Sequence, residues 1–264
     1  MSVSVVIPAL NEAGNIGRLV EETYAAIPGD RLAEVIVVDD GSDDTTGEEI
    51  NALIPRFPGL RYLRHGARAG QSAAIRTGVL AASAPIIATM DGDGQNDPKD
   101  IPNLLARLGP NLNDGPVMIG GVRAKREAVG SRKLASAIAN RIRNAAFKDH
   151  CPDSGCGIKV YWREAYLRLP FFTSMHRFMP ALFLMNDYKV AYEPVNDLAR
   201  RVGQSKYTNF GRALTGIYDL FGVVWLRKRT KTPRIVEDSA AVSHVPDAKA
   251  RRGDTAHKRH AAGE

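Results

Sequence analysis

Four short apolar runs, separated by helical patterns, constrain the fold of this chain more than any other feature of its sequence. Most of the runs are rich in β-branched residues, and each is short enough to be a buried strand. They lie at residues 3–7, 35–38, 62–63 and 86–90. Apolar residues at helical spacing fill the intervals, and the links are short. This alternation predicts a parallel sheet covered by helices on both faces.

The fourth run ends in two carboxylates that are separated by a single glycine. Asp91, Gly92 and Asp93 follow the run directly, and Gln95 adds a neutral oxygen in the same turn. Ligands of open α/β sheets bind just outside the carboxyl ends of the strands. Two carboxylates this close repel, and a divalent cation shared with a ligand offsets that repulsion. The sequence therefore predicts a magnesium or manganese site here; an Asp/Gly-rich surface turn is the alternative.

The ends of the first two strands predict how a nucleotide is held. No Gly-x-Gly-x-x-Gly follows the first strand and no Gly-Lys-Ser/Thr follows any strand, which excludes a Rossmann dehydrogenase and a P-loop protein. A carboxylate at a strand end can instead accept hydrogen bonds from a base N–H or from ribose hydroxyls. We assign this role to Asp40, with Glu12 nearby across the first loop. Asn11 is expected to cap the helix that follows.

The charge distribution argues against a protein built wholly around nucleic acid. The net charge is +7, but the last 38 residues contain ten Lys/Arg against five Asp/Glu and so account for +5 of it. The rest of the chain is nearly neutral, and 44% hydrophobic residues suffice for the core of one elaborated domain. Met1 leads straight into a strand with no secretory signal, and no run reaches the roughly 18 apolar residues of a membrane span. We therefore expect a cytoplasmic protein.

Four motifs in a fixed order resemble glycosyltransferase family 2, and most of all its dolichyl- and polyprenyl-phosphate sugar transferase branch. They are Val-Ile-Pro-Ala-Leu-Asn-Glu (6–12), Val-Val-Asp-Asp-Gly-Ser (37–42), Gly-Gln-Ser-Ala-Ala-Ile-Arg-Thr-Gly (70–78) and Met-Asp-Gly-Asp-Gly-Gln (90–95). The resemblance implies a GT-A fold, with a mostly parallel Rossmann-like sheet flanked by helices. It also implies a nucleotide-sugar donor, a Mg²⁺ or Mn²⁺ cofactor, and inversion at the anomeric carbon.

The resemblance also assigns the donor site residue by residue. The positions that match those holding the base and ribose are Pro8, Leu10, Glu12, Val38 and Asp40. The positions that match the metal site under the diphosphate are Asp91, Asp93 and Gln95, and Gly92 replaces an alanine that is often found there. Leu10 stands where the family has a tyrosine beside the base. This difference leaves the base open between guanine and uracil.

The resemblance places the acceptor in the second half of the chain. Arg123, Arg132 and Ser136 match positions that hold an acceptor phosphate, and Arg123 also borders the donor. A phosphate acceptor is already ionised near neutral pH, so it needs no general base. Asp153 would then orient the donor sugar or the arginines. The alternative is a family 2 enzyme that glycosylates a saccharide hydroxyl, with Asp153 as the base; in either case Asp93, Asp153, Arg132 and Ser136 form the predicted catalytic set.

Two further positions are expected to close over the donor. Arg200 and Lys206 lie in an Arg-x-x-Gly-x-Ser-Lys loop that resembles the family's lid over the diphosphate. His176 can cap a helix or contact a ligand, and both possibilities are open. A nucleotidyltransferase, which builds activated sugars, would need a basic Gly-rich loop after the first strand, and residues 8–12 contain none.

An amphipathic segment and a basic cluster follow the predicted catalytic residues. Residues 210–226 have an apolar, aromatic face, and residues 227–231 are mostly basic. This pattern fits a helix lying on an anionic membrane surface, on its cytoplasmic face. A helix packed on the catalytic domain is the alternative.

The predicted domain organisation follows from these boundaries. A GT-A catalytic domain over residues 1–229 is followed by a basic, disordered tail over 230–264. Within the catalytic domain we expect a nucleotide-sugar-binding half, an acceptor half and the amphipathic helix, at residues 1–109, 110–206 and 207–229. The oligomeric state is not predicted.

Overall fold

A seven-stranded sheet forms the centre of the protein. The computed structural model describes residues 1–123, 146–199 and 209–230. The strands are β1 (Val3–Ala9), β2 (Leu32–Asp39), β3 (Leu60–Arg64), β4 (Ile86–Thr89), β5 (Met118–Arg123), β6 (Lys159–Trp162) and β7 (Val190–Val195). Their order in the sheet is β3-β2-β1-β4-β6-β5-β7. The chain divides into one unit from Met1 to Thr230 and a second from Lys231 to Glu264, which lies outside the described residues.

The four predicted strands of the first hundred residues are all present and pair in parallel. β1 lies between β2 and β4, and β3 pairs with β2. Every residue of β1 is buried, as expected for a central strand of a parallel sheet that is covered on both faces. The register places Pro8 beside Val38 and Ala9 beside Asp39. The carboxyl ends of β1 and β2 therefore meet at one edge of the sheet.

β6 is the strand that runs against its neighbours. It pairs antiparallel with both β4 and β5, whereas β5 pairs in parallel with β7. Thr89, the last residue of β4, is the partner of Lys159, the first residue of β6. The amino end of β6 therefore lies at the same sheet edge as the carboxyl end of β4. The predicted mostly parallel sheet is confirmed, with this one reversal.

Helices cover both faces of the sheet, as predicted. They are α1 (Ile16–Ala26), α2 (Thr46–Leu53), α3 (Gln71–Ala81), α4 (Ile101–Arg107), α5 (Arg163–Leu167), α6 (Met179–Met185) and α7 (Asn209–Arg229). The side chains of β1 alternate between two cores, because successive residues of a strand point to opposite faces. Val5 and Ile7 join the core that contains α1, α2 and α4. Val6 joins the core that contains α3, α5, α6 and part of α7.

The predicted cap of the first helix is wrong. α1 begins at Ile16 with Asn15, not Asn11, at its N-cap position. Asn11 has a φ of 52°, in the left-handed region that asparagine tolerates better than most residues. Its Oδ1 accepts a hydrogen bond of 2.9 Å from the backbone N–H of Asp43. Asn11 thus joins the loop after β1 to the loop after β2 instead of capping α1.

α7 packs on the rest of the domain through one of its faces. Val223 is buried in the core shared with α3, α5 and α6, and Leu220, Val224 and Leu226 pack against that core. The Arg227 guanidinium donates a hydrogen bond to the carbonyl oxygen of Ala146. Within the described ranges, no helix combines the length and the hydropathy that crossing a bilayer requires.

A buried carboxylate joins three strands at the sheet edge opposite the acidic turn. Glu34 of β2 accepts hydrogen bonds from the Ser4 hydroxyl at 2.8 Å, from the Ser83 N–H at 2.7 Å and from Arg61 Nη1 at 2.7 Å. Burial raises the pKa of Glu34, but the hydrogen bonds from Ser83, Arg61 and Ser4 outweigh it and lower the pKa from 4.5 to about 2. The network therefore stabilises the ionised form of Glu34 in the folded state.

We predict that Glu34→Gln removes a pH-dependent part of the stability. The contribution of the Glu34 charge is fully present above pH 4.5 and is lost as the pH falls towards 2, because the folded-state pKa is the lower one. The difference in unfolding free energy between wild type and variant, measured by urea denaturation, should shrink over this interval. Glu164→Gln, in an exposed ion pair with Arg168, is the control and should change the unfolding free energy by less than about 0.5 kcal/mol. A difference that stays constant with pH would contradict the prediction.

Candidate active site

The acidic turn, residues 91–96, closes on itself at the carboxyl end of β4. The backbone N–H of Asp91 donates to Asn96 Oδ1 at 3.0 Å, and the N–H of Gln95 donates to Asp93 Oδ1 at 3.1 Å. The carbonyl oxygen of Gln95 accepts from the N–H of Leu198 at 2.9 Å, so the segment after β7 is fastened to the turn. The structure thus brings the predicted metal-site residues together in one hydrogen-bonded turn.

The Asp91 carboxylate lies among both positive and negative groups. Burial raises its pKa, and the charge of Asp93 raises it further, whereas Lys159, Arg123 and a hydrogen bond from Gln71 lower it. The Gln71 Nε2–H donates to Asp91 Oδ1 at 2.7 Å. Ionised Asp91 next to ionised Asp93 is therefore costly without added positive charge. A divalent cation at this position would supply that charge.

The donor set fits a cation that is shared with a phosphate ligand. In residues 1–123, 146–199 and 209–230, no three His, Cys, Asp or Glu side chains gather closely enough to hold a metal by themselves. Magnesium is commonly bound by one or two carboxylates together with substrate phosphates and water. Asp91 and Asp93 match that pattern. Ligation by the Gln95 side chain stays a prediction.

The turn that precedes β6, residues 153–157, lies directly against the acidic turn. A Cβ built on Gly157 would be 2.4 Å from the carboxyl carbon of Asp91, far inside van der Waals contact. Only glycine allows the two turns to approach this closely. The turn is held by the buried Lys159, whose Nζ donates a hydrogen bond to the carbonyl oxygen of Cys156.

Arg123 and Asp153 form a two-pronged ion pair beside the acidic turn. Arg123 Nε donates to Asp153 Oδ2 at 2.6 Å, and Nη2 donates to Oδ1 at 2.8 Å. The hydrogen bonds to Asp153 raise the pKa of Arg123 above its ordinary value. Both side chains are largely buried, with exposed fractions of 16% and 9%. A fork of this kind fixes the orientation of both groups. The structure therefore pairs Asp153 with Arg123, while its role in catalysis stays a prediction.

Asp40 holds the loop that leads into α3. Its carboxylate is buried and accepts hydrogen bonds from the N–H groups of Ala69 at 2.8 Å and Gly70 at 2.7 Å, and it contacts His65 Nδ1 at 2.8 Å. These contacts position the start of α3, and hence Gln71. Contact between Asp40 and a nucleotide base stays a prediction.

The other predicted donor residues lie along the same edge of the sheet. Pro8 and Val38 are buried neighbours in β1 and β2. A Cβ on Gly92 would be 2.9 Å from the carbonyl oxygen of Pro8, so the acidic turn packs directly on β1. Leu10 and Glu12 are partly exposed, and the backbone N–H of Glu12 donates to Thr46 Oγ1 at 2.8 Å. Their contacts with a nucleotide remain predictions.

Four predicted residues lie outside the described ranges. They are the acceptor residues Arg132 and Ser136 and the lid residues Arg200 and Lys206. The described residues that precede the predicted lid bridge to the acidic turn through Asp197, which pairs with Asn96.

Gln71 and Lys159 are placed next to Asp91, and the sequence motifs predicted neither of these contacts. Gln71 contacts Asp91, and Lys159 supplies a buried positive charge near it. A lysine inside the apolar strand sequence Lys-Val-Tyr-Trp was the available signal, since buried lysines require partners. His176 Nδ1 contacts the Ser72 hydroxyl at 2.8 Å, beside Gln71 in the first turn of α3.

The sequence of this domain matches a known protein family over most of the sheet. Residues 4–169 match the model described as glycosyl transferase family 2. The chain belongs to this family. It is a glycosyltransferase, and the predicted family is confirmed.

Two curated relatives narrow the branch. The chain is 33% identical over 239 residues to dodecaprenyl-phosphate galacturonate synthase of Rhizobium johnstonii, an alignment that covers 88% of this chain and 69% of the relative. It is 32% identical over 222 residues to undecaprenyl-phosphate 4-deoxy-4-formamido-L-arabinose transferase of Enterobacter sp. strain 638, covering 83% and 66%. The chain spans about two thirds of the length of these relatives. Their names confirm the predicted resemblance to polyprenyl-phosphate sugar transferases.

A solved structure confirms the GT-A fold. Glucosyl-3-phosphoglycerate synthase of Mycobacterium tuberculosis, crystallised with Mn²⁺, UDP-glucose and phosphoglyceric acid, superposes with a TM-score of 0.65 and 20% identity. The superposition covers 89% of this chain and 81% of that one. The same enzyme with Mg²⁺ and UDP superposes with a TM-score of 0.61.

We predict that Gly157→Ala disables the glycosyltransferase. The new methyl group would displace the Asp91 carboxylate, and a misplacement of about 1 Å at a reacting centre can cost about a hundredfold in rate. The measurement is kcat/KM relative to wild type, with circular dichroism to check folding. Gly155→Ala in the same turn is the matched control, because its Cβ would lie 3.4 Å from Arg123 Nη2, an ordinary contact. Equal losses in both variants would contradict the specific role of Gly157.

Proposed function

We propose that this glycosyltransferase moves a sugar from a GDP- or UDP-linked donor to a polyprenyl phosphate, with inversion at the anomeric carbon. The observation that carries the proposal is that Asp91 and Arg123 both lie against the turn of residues 153–157, with Asp93 in the same acidic turn as Asp91. An acidic pair suits a cation on a diphosphate, and an arginine beside it suits a second phosphate. The two polyprenyl-phosphate relatives support the same acceptor class.

The acidic turn serves the donor side of the reaction. Asp91 and Asp93, with Gln95, would hold Mg²⁺ or Mn²⁺ against the donor diphosphate. When bound, the cation neutralises charge on the diphosphate and so stabilises the leaving group. Gln71 holds the Asp91 carboxylate through a hydrogen bond, and the charge of Lys159 favours its ionised form. Pro8 and Val38 lie side by side near the carboxyl ends of β1 and β2, and the loop after β1 follows them. This edge of the sheet would bind the nucleoside part of the donor.

The acceptor side requires alignment and charge more than proton transfer. A phosphate oxygen attacks the anomeric carbon as the bond from that carbon to the diphosphate breaks, and the nucleoside diphosphate leaves. Arg123 would orient the attacking phosphate together with Arg132 and Ser136. Asp153 fixes the plane of the Arg123 guanidinium through its two hydrogen bonds. Closure of a lid carrying Arg200 and Lys206 would exclude water from the donor.

The ion pair disfavours the alternative acceptor, a saccharide hydroxyl deprotonated by Asp153. Both carboxylate oxygens of Asp153 accept hydrogen bonds from Arg123, and a general base needs an oxygen directed at the proton it removes. If Asp153 took up a proton as a base, it would lose the charge that pairs with the largely buried Arg123 guanidinium, which is costly. A phosphate acceptor requires no such protonation.

A polyprenyl phosphate places the reaction at a membrane. We propose that the enzyme works on the cytoplasmic face as a peripheral protein, since nucleotide sugars are polar and the acceptor is a lipid. The proposal names neither the sugar nor the length of the lipid chain.

We predict that one GDP- or UDP-sugar raises the melting temperature of the protein by about 5 to 10 °C when present at about one hundred times its Kd with manganese. Ligands that bind only the folded state stabilise it in proportion to their free concentration relative to Kd. Differential scanning fluorimetry with a panel of such sugars provides the measurement. EDTA should abolish the shift, because the acidic pair needs a cation to hold a diphosphate.

Asp91→Asn and Asp93→Asn should lose the same shift. The exposed Asp30→Asn is the matched control and should retain it. If no sugar nucleotide shifts the melting temperature of wild type, or if both site variants keep the shift, the proposed donor site is wrong.

We predict that Asp153→Asn lowers kcat/KM by less than about a hundredfold, the lower range for loss of a general base. Asparagine still accepts one hydrogen bond from Arg123, so part of the orientation survives. The assay measures transfer of radiolabelled sugar to undecaprenyl phosphate in detergent. KM for the acceptor should rise, and the pH profile should keep its shape. A loss of about ten thousandfold with an unchanged acceptor KM would instead favour Asp153 as the base.

A further inference from the structure

The outward face of α7 carries large aromatic side chains that the catalytic domain leaves exposed. Tyr218, Phe221 and Trp225 have exposed fractions of 80%, 69% and 62%. Their spacing of three and four residues places them on one face of the helix. Val223, between them in sequence, is only 1% exposed because it belongs to the opposite, packed face. One side of α7 therefore fastens the helix to the domain, and the other presents an aromatic stripe.

The aromatic stripe ends in a cluster of positive charge. Lys228 and Arg229 in the last turn of α7 are exposed. Lys228 lies seven residues after Phe221 and three after Trp225, so it continues the stripe along the helix. Lys231 follows closely in the sequence. Positive side chains also suit the C-terminal end of a helix, where the helix dipole is negative.

We propose that this aromatic–basic face, formed by Tyr218, Phe221, Trp225, Lys228 and Arg229, binds the surface of an anionic lipid bilayer. Tyrosine and tryptophan favour the membrane interface because each has an apolar ring and a polar group that reaches water. Basic side chains at the end of the stripe complement anionic headgroups. A helix already packed along one side has its remaining side free to lie flat on a membrane.

The choice of a bilayer over a protein partner follows from the charges. The face combines three bulky aromatic groups with two exposed cations and, over Tyr218–Arg229, only Asp219 as an acidic residue. Asp219 is partly buried and is not part of the exposed stripe. A positively charged, aromatic surface of this kind suits phosphatidylglycerol or another anionic lipid.

The inference deepens the proposed function, since a lipid acceptor must be reached at a membrane. The packed face of α7 contacts the core that contains α3, and α3 begins with Gln71 beside Asp91. Binding through the aromatic–basic face would thus hold the domain at the surface where a polyprenyl phosphate resides. The vesicle-binding test does not depend on sugar transfer, so it tests the membrane surface independently of the proposed reaction.

The test is co-sedimentation of the full chain with vesicles of phosphatidylcholine containing about one third phosphatidylglycerol. We expect binding to these vesicles and at least tenfold weaker binding to pure phosphatidylcholine, because each basic residue near an anionic surface contributes about fivefold in affinity and the face carries two. Binding should weaken as sodium chloride rises from 0.1 to about 1 M, where charges are screened over a few ångströms. Trp225 fluorescence should shift to shorter wavelength on binding.

Two double variants divide the face into its apolar and charged parts. Phe221→Ser/Trp225→Ser and Lys228→Glu/Arg229→Glu should each reduce binding at least tenfold while the melting temperature changes little, since all four side chains are exposed. Leu80→Ser, at an exposed leucine of α3, is the control for apolar exposure. Arg31→Glu/Arg56→Glu is the control for the same change of net charge on exposed residues elsewhere. Both controls should bind as wild type.

Several outcomes would overturn the proposal. They are absent binding to anionic vesicles, equal binding by the α7 variants and wild type, or a wild-type dimer that Phe221→Ser/Trp225→Ser converts to monomer. The last result would make the face a contact between two copies of the chain. Failure of the proposed function would give a different result. The protein would bind vesicles, but it would transfer no sugar to undecaprenyl phosphate in detergent. If transfer occurs in detergent without vesicle binding, only the membrane surface is wrong.

Discussion

The repulsion between two neighbouring carboxylates at the end of a buried strand shapes the whole site. Asp91 and Asp93 share one turn, and burial makes the charge of Asp91 more costly still. The protein offsets this cost in part with Lys159, Arg123 and the amide of Gln71. These three groups come from a strand, another strand and a helix that are far apart in sequence. The fold therefore brings compensating groups from distant parts of the chain to one turn.

The reversal of β6 makes this convergence possible. In a fully parallel sheet, the strand beside β4 would bring its carboxyl end to the acidic turn. Because β6 is antiparallel, its amino end lies there instead, with Lys159 paired to Thr89. The turn before β6 then reaches across to both Asp91 and Arg123, and Gly157 permits the close approach. A single antiparallel strand thus completes a site that the parallel half of the sheet only begins.

The sequence predicted the parts of the fold that depend on local pattern. The first four strands emerged from apolar runs, and the acidic turn from its place after β4. Contacts between residues that are far apart in the sequence could not be predicted from local pattern. Asn11 had the composition of a helix cap, yet its side chain bonds to the loop after β2. Asp40 had the position of a ligand residue, and the structure shows it holding the loop before α3. Lys159 gave only a weak signal, because its partners lie across the sheet.

The sequence of the C-terminal helix fits both packing on the domain and binding to a membrane, and the structure shows why the sequence alone does not decide between them. The apolar residues of α7 extend around more of its circumference than one packed face can bury. Val223 uses the side towards the domain, and Tyr218, Phe221 and Trp225 remain on the other. A helix that only packed on the domain would gain nothing from exposing three aromatic rings to water, since burial of such rings is strongly favourable. The excess of apolar surface on one face is therefore a property that calls for a second apolar environment, and packing on the domain orients that face outward.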